Sequence, residues 1–313
     1  MKWVIMVMTG AFLLWGAVSD FVFAEGAYPS EVNILLKNIA QCDSLIVSGK
    51  GSITYEFFSQ LQKRSSTVEN PKMPAPPDYQ KVDIVYSFQG SKMRCDEKLL
   101  MQMPDGKSHP AEFHRAWNGE KTDNLTKEAI GPNGSFVSAG SVGKKNDVPY
   151  GKCDPRFNCI NINGEPIAVY INKNLSKLQL IGDETIENIP CKVLQGTRVM
   201  QNNMEVTNKI WIAPSRMYRI MRWERSSNLG KIQTVNNTLR KIKDDIWFTE
   251  KQQIDTYRND DTTKEMKYWG KTVLSVSKDF TINITLPDKE FEIKFPTGLS
   301  IRDERTNSSF IAK

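Results

Sequence analysis

The chain has 313 residues, of which 25% are charged and 39% are hydrophobic, and it carries a formal net charge of +6. These values are typical of a globular protein that can bury a sizeable core. The mild positive charge permits peripheral contact with an anionic membrane surface, but the sequence lacks the clustered basic face of a nucleic-acid binder.

The first 24 residues have the pattern of a secretory signal peptide. Lys2 precedes an apolar run from Trp3 to Val18, and Val22-Phe23-Ala24 matches a small-residue cleavage site. The apolar run is short for a membrane span, so an uncleaved anchor is the less favoured alternative. We therefore expect cleavage after Ala24 and an exported, periplasmic protein with a single domain over residues 25–313.

Export permits disulfide bonds, and the chain has five cysteines. Cys153 and Cys159 are close together in a loop-like region and are the favoured pair, with free thiols as the alternative. A zinc site would need a second cysteine pair at similar spacing, which the sequence lacks. We expect no metal and no cofactor.

The first elements of the mature chain are a helix and a strand. A helix is predicted over residues 30–42, because Ser30 is a good N-cap and apolar residues recur at helical spacing. A strand is predicted over residues 45–58, with a bulge or bend at Gly49 and Gly51. An exposed, proline-rich connection is predicted over residues 59–79.

Alternating apolar residues from Val82 to Phe88 predict a half-buried strand, and Asn118-Gly119 predicts the turn of a later hairpin. Residues 126–165 are rich in glycine and have no apolar periodicity, so we expect a long loop insertion there. A short helix is predicted over residues 166–175.

Residues 182–257 read as an antiparallel meander of short runs rich in β-branched and aromatic residues, separated by turn residues. A strand is predicted over residues 266–276, and an alternating apolar run follows at Phe291–Phe295. The predicted fold is therefore α+β: a large curved antiparallel sheet, or incomplete β-barrel, with a few helices covering its concave face.

Few residues suggest catalysis. The two histidines, His109 and His114, do not have the spacing of a zinc-binding HExxH motif. The sequence also lacks a nucleophile elbow, a P-loop and a dinucleotide-binding motif. Paired carboxylates such as Asp183-Glu184 read as solvated turns, although the separation of carboxylates in a glycosidase is a three-dimensional quantity. We expect a protein without catalytic residues.

The aromatic residues are more informative. Central strands of the meander are apolar on both faces, and such strands need cover on both, from helices or from a ligand. Two interpretations follow, a tryptophan-rich core and an apolar groove for a ligand. The candidates for lining the groove are Tyr55, Phe57, Tyr86, Phe88, Trp117, Trp211, Tyr218, Ile220, Trp223 and Trp247.

Several phrases occur in the order found in one known family. They are VSGKGSITYEF and FQGSKMRCD near the start, then GDETIENIPCKVLQ, KIWIAPSRMYRIMRWE and DDIWFTEKQQIDTY in the meander. In these phrases the chain resembles the outer-membrane lipoprotein-sorting family of LolA-, LolB- and RseB-like proteins, and especially distant relatives that end in a phrase like FPTGLSIRDER.

The resemblance implies an incomplete barrel whose apolar cavity shelters or senses the acyl chains of a lipoprotein in the periplasm. We therefore expect a non-catalytic protein that binds a lipid or a lipidated partner in an apolar groove. The alternative is an RseB-like interaction or sensor protein of the cell envelope without transport, and a glycan hydrolase is a third hypothesis. The proline-rich connection and the insertion depart from the family's pattern.

Overall fold

A computed structural model describes residues 28–59, 79–102, 107–130, 136–143, 167–200, 204–243, 245–260, 263 and 265–313. The predicted signal peptide, most of the proline-rich connection, Cys153 and Cys159 lie outside these residues. Within the described part of the chain, no helix is long and apolar enough to cross a membrane.

The described residues form two α-helices and sixteen strands. The helices are α1 (Ser30–Ser44) and α2 (Ile167–Asn174). The strands of the first half are β1 (Ser48–Ser59), β2 (Tyr79–Gln89), β3 (Lys92–Gln102), β4 (Ser108–Trp117), β5 (Thr122–Ile130) and β6 (Phe136–Gly143). Those of the second half are β7 (Ser176–Ile186), β8 (Ile189–Val199), β9 (Glu205–Ala213), β10 (Arg219–Ser227), β11 (Gly230–Lys243), β12 (Ile246–Asn259), β13 (Met266–Val276), β14 (Thr281–Ile282), β15 (Ser300–Asp303) and β16 (Ser308–Ile311).

All of these strands belong to one open sheet. Its order is β16-β15-β6-β5-β4-β3-β2-β1-β13-β12-β11-β10-β9-β8-β7, and β14 pairs with β1 next to β13. Neighbours are antiparallel except β15, which runs parallel to β6. The predicted fold class is thus confirmed: a large curved antiparallel sheet carries helices on its concave face and does not close into a barrel. We call this side the helix-bearing face.

The meander is confirmed as strands β7 to β12, and β13 has the bounds that the sequence predicts. The turns lie at the predicted places. Glu187 and Asn188 both have positive φ between β7 and β8. A 3₁₀ turn at Pro214–Arg216 is followed by Met217 and Tyr218, again with positive φ, before β10.

Two apolar clusters share the helix-bearing face. In the first, α1 and α2 pack on strands β7 to β11. Its buried members include Val32, Leu35, Leu36, Ile39, Ile167, Ile171, Leu194, Ile210, Ile212, Ile220 and Trp223. In the second, strands β1 to β4 pack with β12 to β14. Its buried members include Ile53, Ile84, Tyr86, Phe88, Met93, Trp117, Phe248, Leu274, Phe280 and Ile282.

A smaller cluster lies on the opposite face of β8 to β10. Its buried members are Cys191, Val193, Trp211, Ala213 and Met221. The central strands are therefore apolar on both faces, as the sequence predicts, and α1 and α2 supply the cover on one side.

Two local predictions near the start of the chain differ from the structure. Helix α1 begins at Ser30, but Pro29 occupies the N-cap position, with no side-chain capping bond. Of the bulge or bend predicted at Gly49 and Gly51, the bulge is wrong, because β1 keeps an unbroken register with β2. A Cβ atom on Gly51 would lie 2.5 Å from the Cα atom of Phe280, so glycine permits a close approach of the chain here.

The predicted loop over residues 126–165 is wrong where β5 continues to Ile130 and where β6 occupies Phe136–Gly143. Residues 144–166 lie outside the described part. Strand β6 pairs with the preceding strand β5 on one side and with the distant strand β15 on the other. Gly140 pairs with Ile301 of β15, and a Cβ atom on Gly140 would lie 2.3 Å from the Ile301 Cδ1 atom.

The run Phe291–Phe295 is not a sheet strand. It follows a 3₁₀ turn at Asp288–Phe291 and crosses the face opposite the helices. Arg94 donates hydrogen bonds to the carbonyl oxygens of Glu290, at 3.3 Å, and Glu292, at 3.1 Å. Phe291 and Ile293 are buried, so the alternation reflects packing of an extended segment on the sheet rather than strand pairing.

Candidate functional site

The candidates in the first half of the chain lie on the helix-bearing face, mostly in its core. Tyr86 and Phe88 are 0% exposed and Trp117 is 3% exposed, all within the second cluster. Tyr55 is half-buried at the edge of that cluster. Phe57 is half-buried with its ring centroid 5.6 Å from that of Trp269.

Ile220 and Trp223 lie beneath the helices in the first cluster. The Trp223 Nε1 atom donates a hydrogen bond to Asn208 Oδ1 at 3.0 Å. The ring of Tyr170, from α2, meets the Trp223 ring edge-on at 5.8 Å between centroids. Other side chains of the protein therefore pack against the ring of this tryptophan and accept the hydrogen bond from its Nε1 atom.

Trp211 lies on the opposite face, in the smaller cluster. Its Nε1 atom donates to Glu184 Oε2 at 2.8 Å, and Lys209 lies over its ring. Hydrogen bonds from Lys209 and then from Trp211 lower the pKa of Glu184. Trp247 lies between Ile246 and Phe248, which belong to the second cluster, so its ring is on the face opposite the helices, like that of Trp211. The Arg216 guanidinium lies 3.5 Å from the centroid of this ring.

An open groove of about 860 Å³ runs beside α1 on the helix-bearing face, next to the sheet edge formed by β7. We call it the α1–β7 groove. It is lined by Glu31, Ile34, Leu35, Asn38, Leu180, Ile181, Gly182, Asp183, Lys192, Pro214 and Tyr218. Tyr218 is thus the one member of the predicted set that this groove includes.

One wall of the groove is a flank of α1. Glu31, Ile34, Leu35 and Asn38 follow one another at helical spacing, so they share one side of the helix. Leu35 is also part of the buried stripe, whereas Ile34 is 59% exposed. The helix therefore presents an aliphatic side chain to the groove instead of to the core.

The other wall is the edge strand β7. Its register against β8 shifts between Leu180 and Gly182, and Gly182 has a φ of 137°. The extra residue at this bulge is Ile181, which is 42% exposed. Asp183 and Lys192 form an ion pair of 2.8 Å across the two strands. The groove thus combines an aliphatic lining with a charged rim.

A buried ion pair fixes the C-terminal end of α1, the helix whose N-terminal half lines the groove. Arg219 Nη1 lies 2.5 Å from Asp43 Oδ1, and the two side chains are 3% and 8% exposed. Arg219 Nε also donates to the carbonyl oxygen of Trp247 at 3.0 Å. Because breaking such a pair leaves a buried charge uncompensated, α1 is held firmly over β10 and β12.

The two histidines lie in strand β4, away from the groove. His114 is 2.8 Å from Asp96 and 3.1 Å from Glu112. Hydrogen bonding from Lys98, with further bonds from Lys127 and His114, lowers the pKa of Glu112 to about 2. Glu112 also forms ion pairs with Lys98 and Lys127, so these residues of β3, β4 and β5 form an ion network across the sheet.

No known family model matches this chain, and no curated protein matches it. Solved structures do. An outer membrane lipoprotein-sorting protein domain from Vibrio parahaemolyticus is similar over 83% of this chain and 97% of its own, at 10% identity and a TM-score of 0.42. A LolA superfamily protein from Nitrosomonas europaea is similar over 84% and 97%, at 13% identity and a TM-score of 0.40.

A DUF1329 family protein from Desulfovibrio piger is also similar, over 83% of this chain and 97% of its own, at 11% identity and a TM-score of 0.40. The descriptions of the first two structures name the kind of protein that the sequence resembles. At these identities and TM-scores the likeness does not extend to function, and the functional proposal rests on the residues of this chain.

The aromatic pattern of the sequence did not point to the residues that line the groove. Ile34 carries a usable signal, because it is an apolar residue outside the buried stripe of an otherwise amphipathic helix. Ile181 carries none, since its exposure results from a register shift that the sequence does not reveal.

Proposed function

We propose that this protein binds the acyl chains of a lipid or of a lipidated partner in the α1–β7 groove, without catalysis. The supporting observation is an open groove whose walls expose Ile34 and Ile181. Burying an isoleucine side chain contributes roughly 1.5–3 kcal/mol, so a ligand that covers both residues gains affinity from desolvation.

The size and charges of the groove favour an amphiphile. A volume of about 860 Å³ lies within the range of roughly 300–1,000 Å³ usual for small-molecule sites. Glu31, Asp183 and Lys192 stand beside the aliphatic lining. A ligand with an apolar chain and a polar end could place the chain on the lining and leave its polar end near these charges.

We also propose that the protein works outside the cytoplasm, in the periplasm. The support is the signal-peptide pattern of residues 1–24. Amino-terminal sequencing of the protein from a cell-envelope fraction should begin at Glu25. A chain that retains Met1 and stays in the cytoplasmic fraction would refute export.

Displacement of a fluorescent fatty acid, together with native mass spectrometry of the purified protein, tests acyl-chain binding. Ile181→Glu places a charge in the groove wall, and we expect it to weaken fatty-acid binding at least tenfold. The matched control is Leu229→Glu, because Leu229 is 45% exposed in the turn between β10 and β11, away from the groove.

Equal binding by the two variants and the unchanged protein would show that the groove is not the site. Failure of the unchanged protein to bind any acyl chain in both measurements would exclude the proposed function. A stable protein partner bound while the groove stays free of lipid would favour the interaction or sensor role instead.

A further inference from the structure

Two arginines lie on the helix-bearing face at the same end of β8 and β10, the two strands that flank β9. Arg225 of β10 pairs with Asn208 of β9, and Arg198 of β8 pairs with Val206 of β9. Arg225 follows Trp223 by two positions in β10, so both side chains lie on the helix-bearing face. Residues paired across two strands also share a face, so Arg198 lies on that face as well. The two guanidinium groups therefore flank β9 beside α2.

Their hydrogen bonds leave donors unused. Arg198 Nη1 donates to the hydroxyl oxygen of Tyr170 at 2.9 Å, and Arg225 Nη1 donates to Gln233 Oε1 at 3.4 Å. The Nε atom of Arg225 is buried without a hydrogen-bond partner. Among the described residues, no carboxylate forms an ion pair with either arginine.

Other arginines on neighbouring positions are neutralised. Arg219 pairs with Asp43, and Arg222 pairs with Glu224 on the opposite face. Burial lowers the pKa of Arg225, and the nearby charge of Arg198 lowers it further, although Tyr170 acts in the opposite direction. The two charges are thus close enough to repel each other in a partly desolvated place.

We propose that Arg198 and Arg225, with the Tyr170 hydroxyl, form a binding site for an oxyanion, the phosphate or carboxylate group of a ligand. A planar guanidinium offers paired N–H donors that match the oxygens of these groups. One such group would neutralise the two charges and accept a bond from the buried Nε atom. The site goes beyond the α1–β7 groove, and neither of its arginines lines that groove.

The oxyanion has two sources, a free ion or the head group of an amphiphile, and two probes distinguish them. Isothermal titration of the purified protein uses inorganic phosphate and monododecyl phosphate below its critical micelle concentration. Binding of both probes indicates a free-oxyanion site, and binding of the alkyl phosphate alone indicates a head-group site. In either case we expect Arg225→Gln to weaken binding at least tenfold and the double variant with Arg198→Gln to abolish it.

Arg222→Gln is the matched control, since Arg222 belongs to the same strand but faces the other side, and it should leave binding unchanged. Arg225→Gln should not lower the midpoint of thermal unfolding, because it removes a repulsion. Should this variant fail to fold, Tyr170→Phe keeps both arginines and is expected to weaken binding severalfold.

Binding of neither probe, or binding that is insensitive to these arginines, would overturn the proposed oxyanion site. Loss of groove binding in Ile181→Glu leaves this result unaffected, so the two proposals fail separately.

Discussion

Two regions of the helix-bearing face differ in how their apolar residues are used. Under strands β1 to β4, Tyr86 and Phe88 are 0% exposed and packed by other side chains of the protein. Beside α1, at the β7 edge, Ile34 and Ile181 are 59% and 42% exposed around an open groove. Dense aromatic residues thus mark where the chain fills its own concave face, and the opening has mainly aliphatic walls.

The difference has a simple physical origin. In the first region, aromatic side chains pack against Phe280 and Ile282, which return across β1, and the protein itself covers them. Among the described strands β7 is the last one at its edge, and α1 covers only part of the surface. An opening is therefore expected where a sheet ends beside a helix rather than where its side chains are largest.

The largest expected effect separates the filled region from the open one. Phe88→Ala removes a fully buried ring and should lower the free energy of unfolding by about 3–5 kcal/mol. Ile34→Ala, in the groove wall, should lower it by less than about 1 kcal/mol, because most of that side chain is already in water. Urea unfolding measures both, and similar losses would show that Ile34 belongs to the core.

A smaller effect is expected where the chain closes the filled region. Gly51→Ala forces Phe280 away from β1 and should cost about 1–3 kcal/mol of unfolding free energy in the same assay. Val85→Thr, at an exposed position of the adjacent strand β2 on the other face, should change it by less than about 0.5 kcal/mol. If the two substitutions lower the free energy of unfolding equally, the close packing of Gly51 against Phe280 does not contribute to stability.

The smallest effect concerns the ion network on the opposite face, away from both regions. The folded pKa of Glu112 is about 2, below the ordinary value of 4.5, because Lys98 foremost, then Lys127 and His114, stabilise the carboxylate. Its contribution to stability is therefore fully present above pH 4.5 and is lost as the pH falls towards 2.

Glu112→Gln removes this dependence. Urea unfolding at pH 5 and pH 2.5 should show a smaller loss of stability for the variant than for the unchanged protein. The partial exposure of Glu112 makes the difference small. Identical losses would mean that the contacts of Glu112 do not contribute to folding.

Much of the fold could be predicted from local patterns. The buried stripe of α1, the turns of the meander and the bounds of β13 depend on nearby residues, and each was found. Strand β6 was missed because its small residues fit beneath Ile301, which lies far away in sequence. The run at Phe291–Phe295 alternates correctly but packs on the sheet instead of joining it.

The candidate sites were less predictable for the same reason. Tyr218 was predicted and lines the groove, but the walls around it come from a helix flank and a register shift on separate elements. Arg198 and Arg225 lie on either side of β9 only because β8 and β10 both pair with that strand. No spacing within the sequence shows that two such side chains are neighbours.

The position of β1 in the middle of the sheet has a consequence for how the chain folds. One side of β1 pairs with β2, but the other pairs with β13, where Ile53 lies opposite Val276. These residues are 223 positions apart, so β1 gains its second partner only after a long loop has closed, and contacts of this kind form slowly. During that time one edge of β1 stays unpaired, and an unpaired edge rich in apolar residues is prone to wrong pairing. Wrong pairing at this edge therefore competes with correct folding for as long as β13 has not docked on β1.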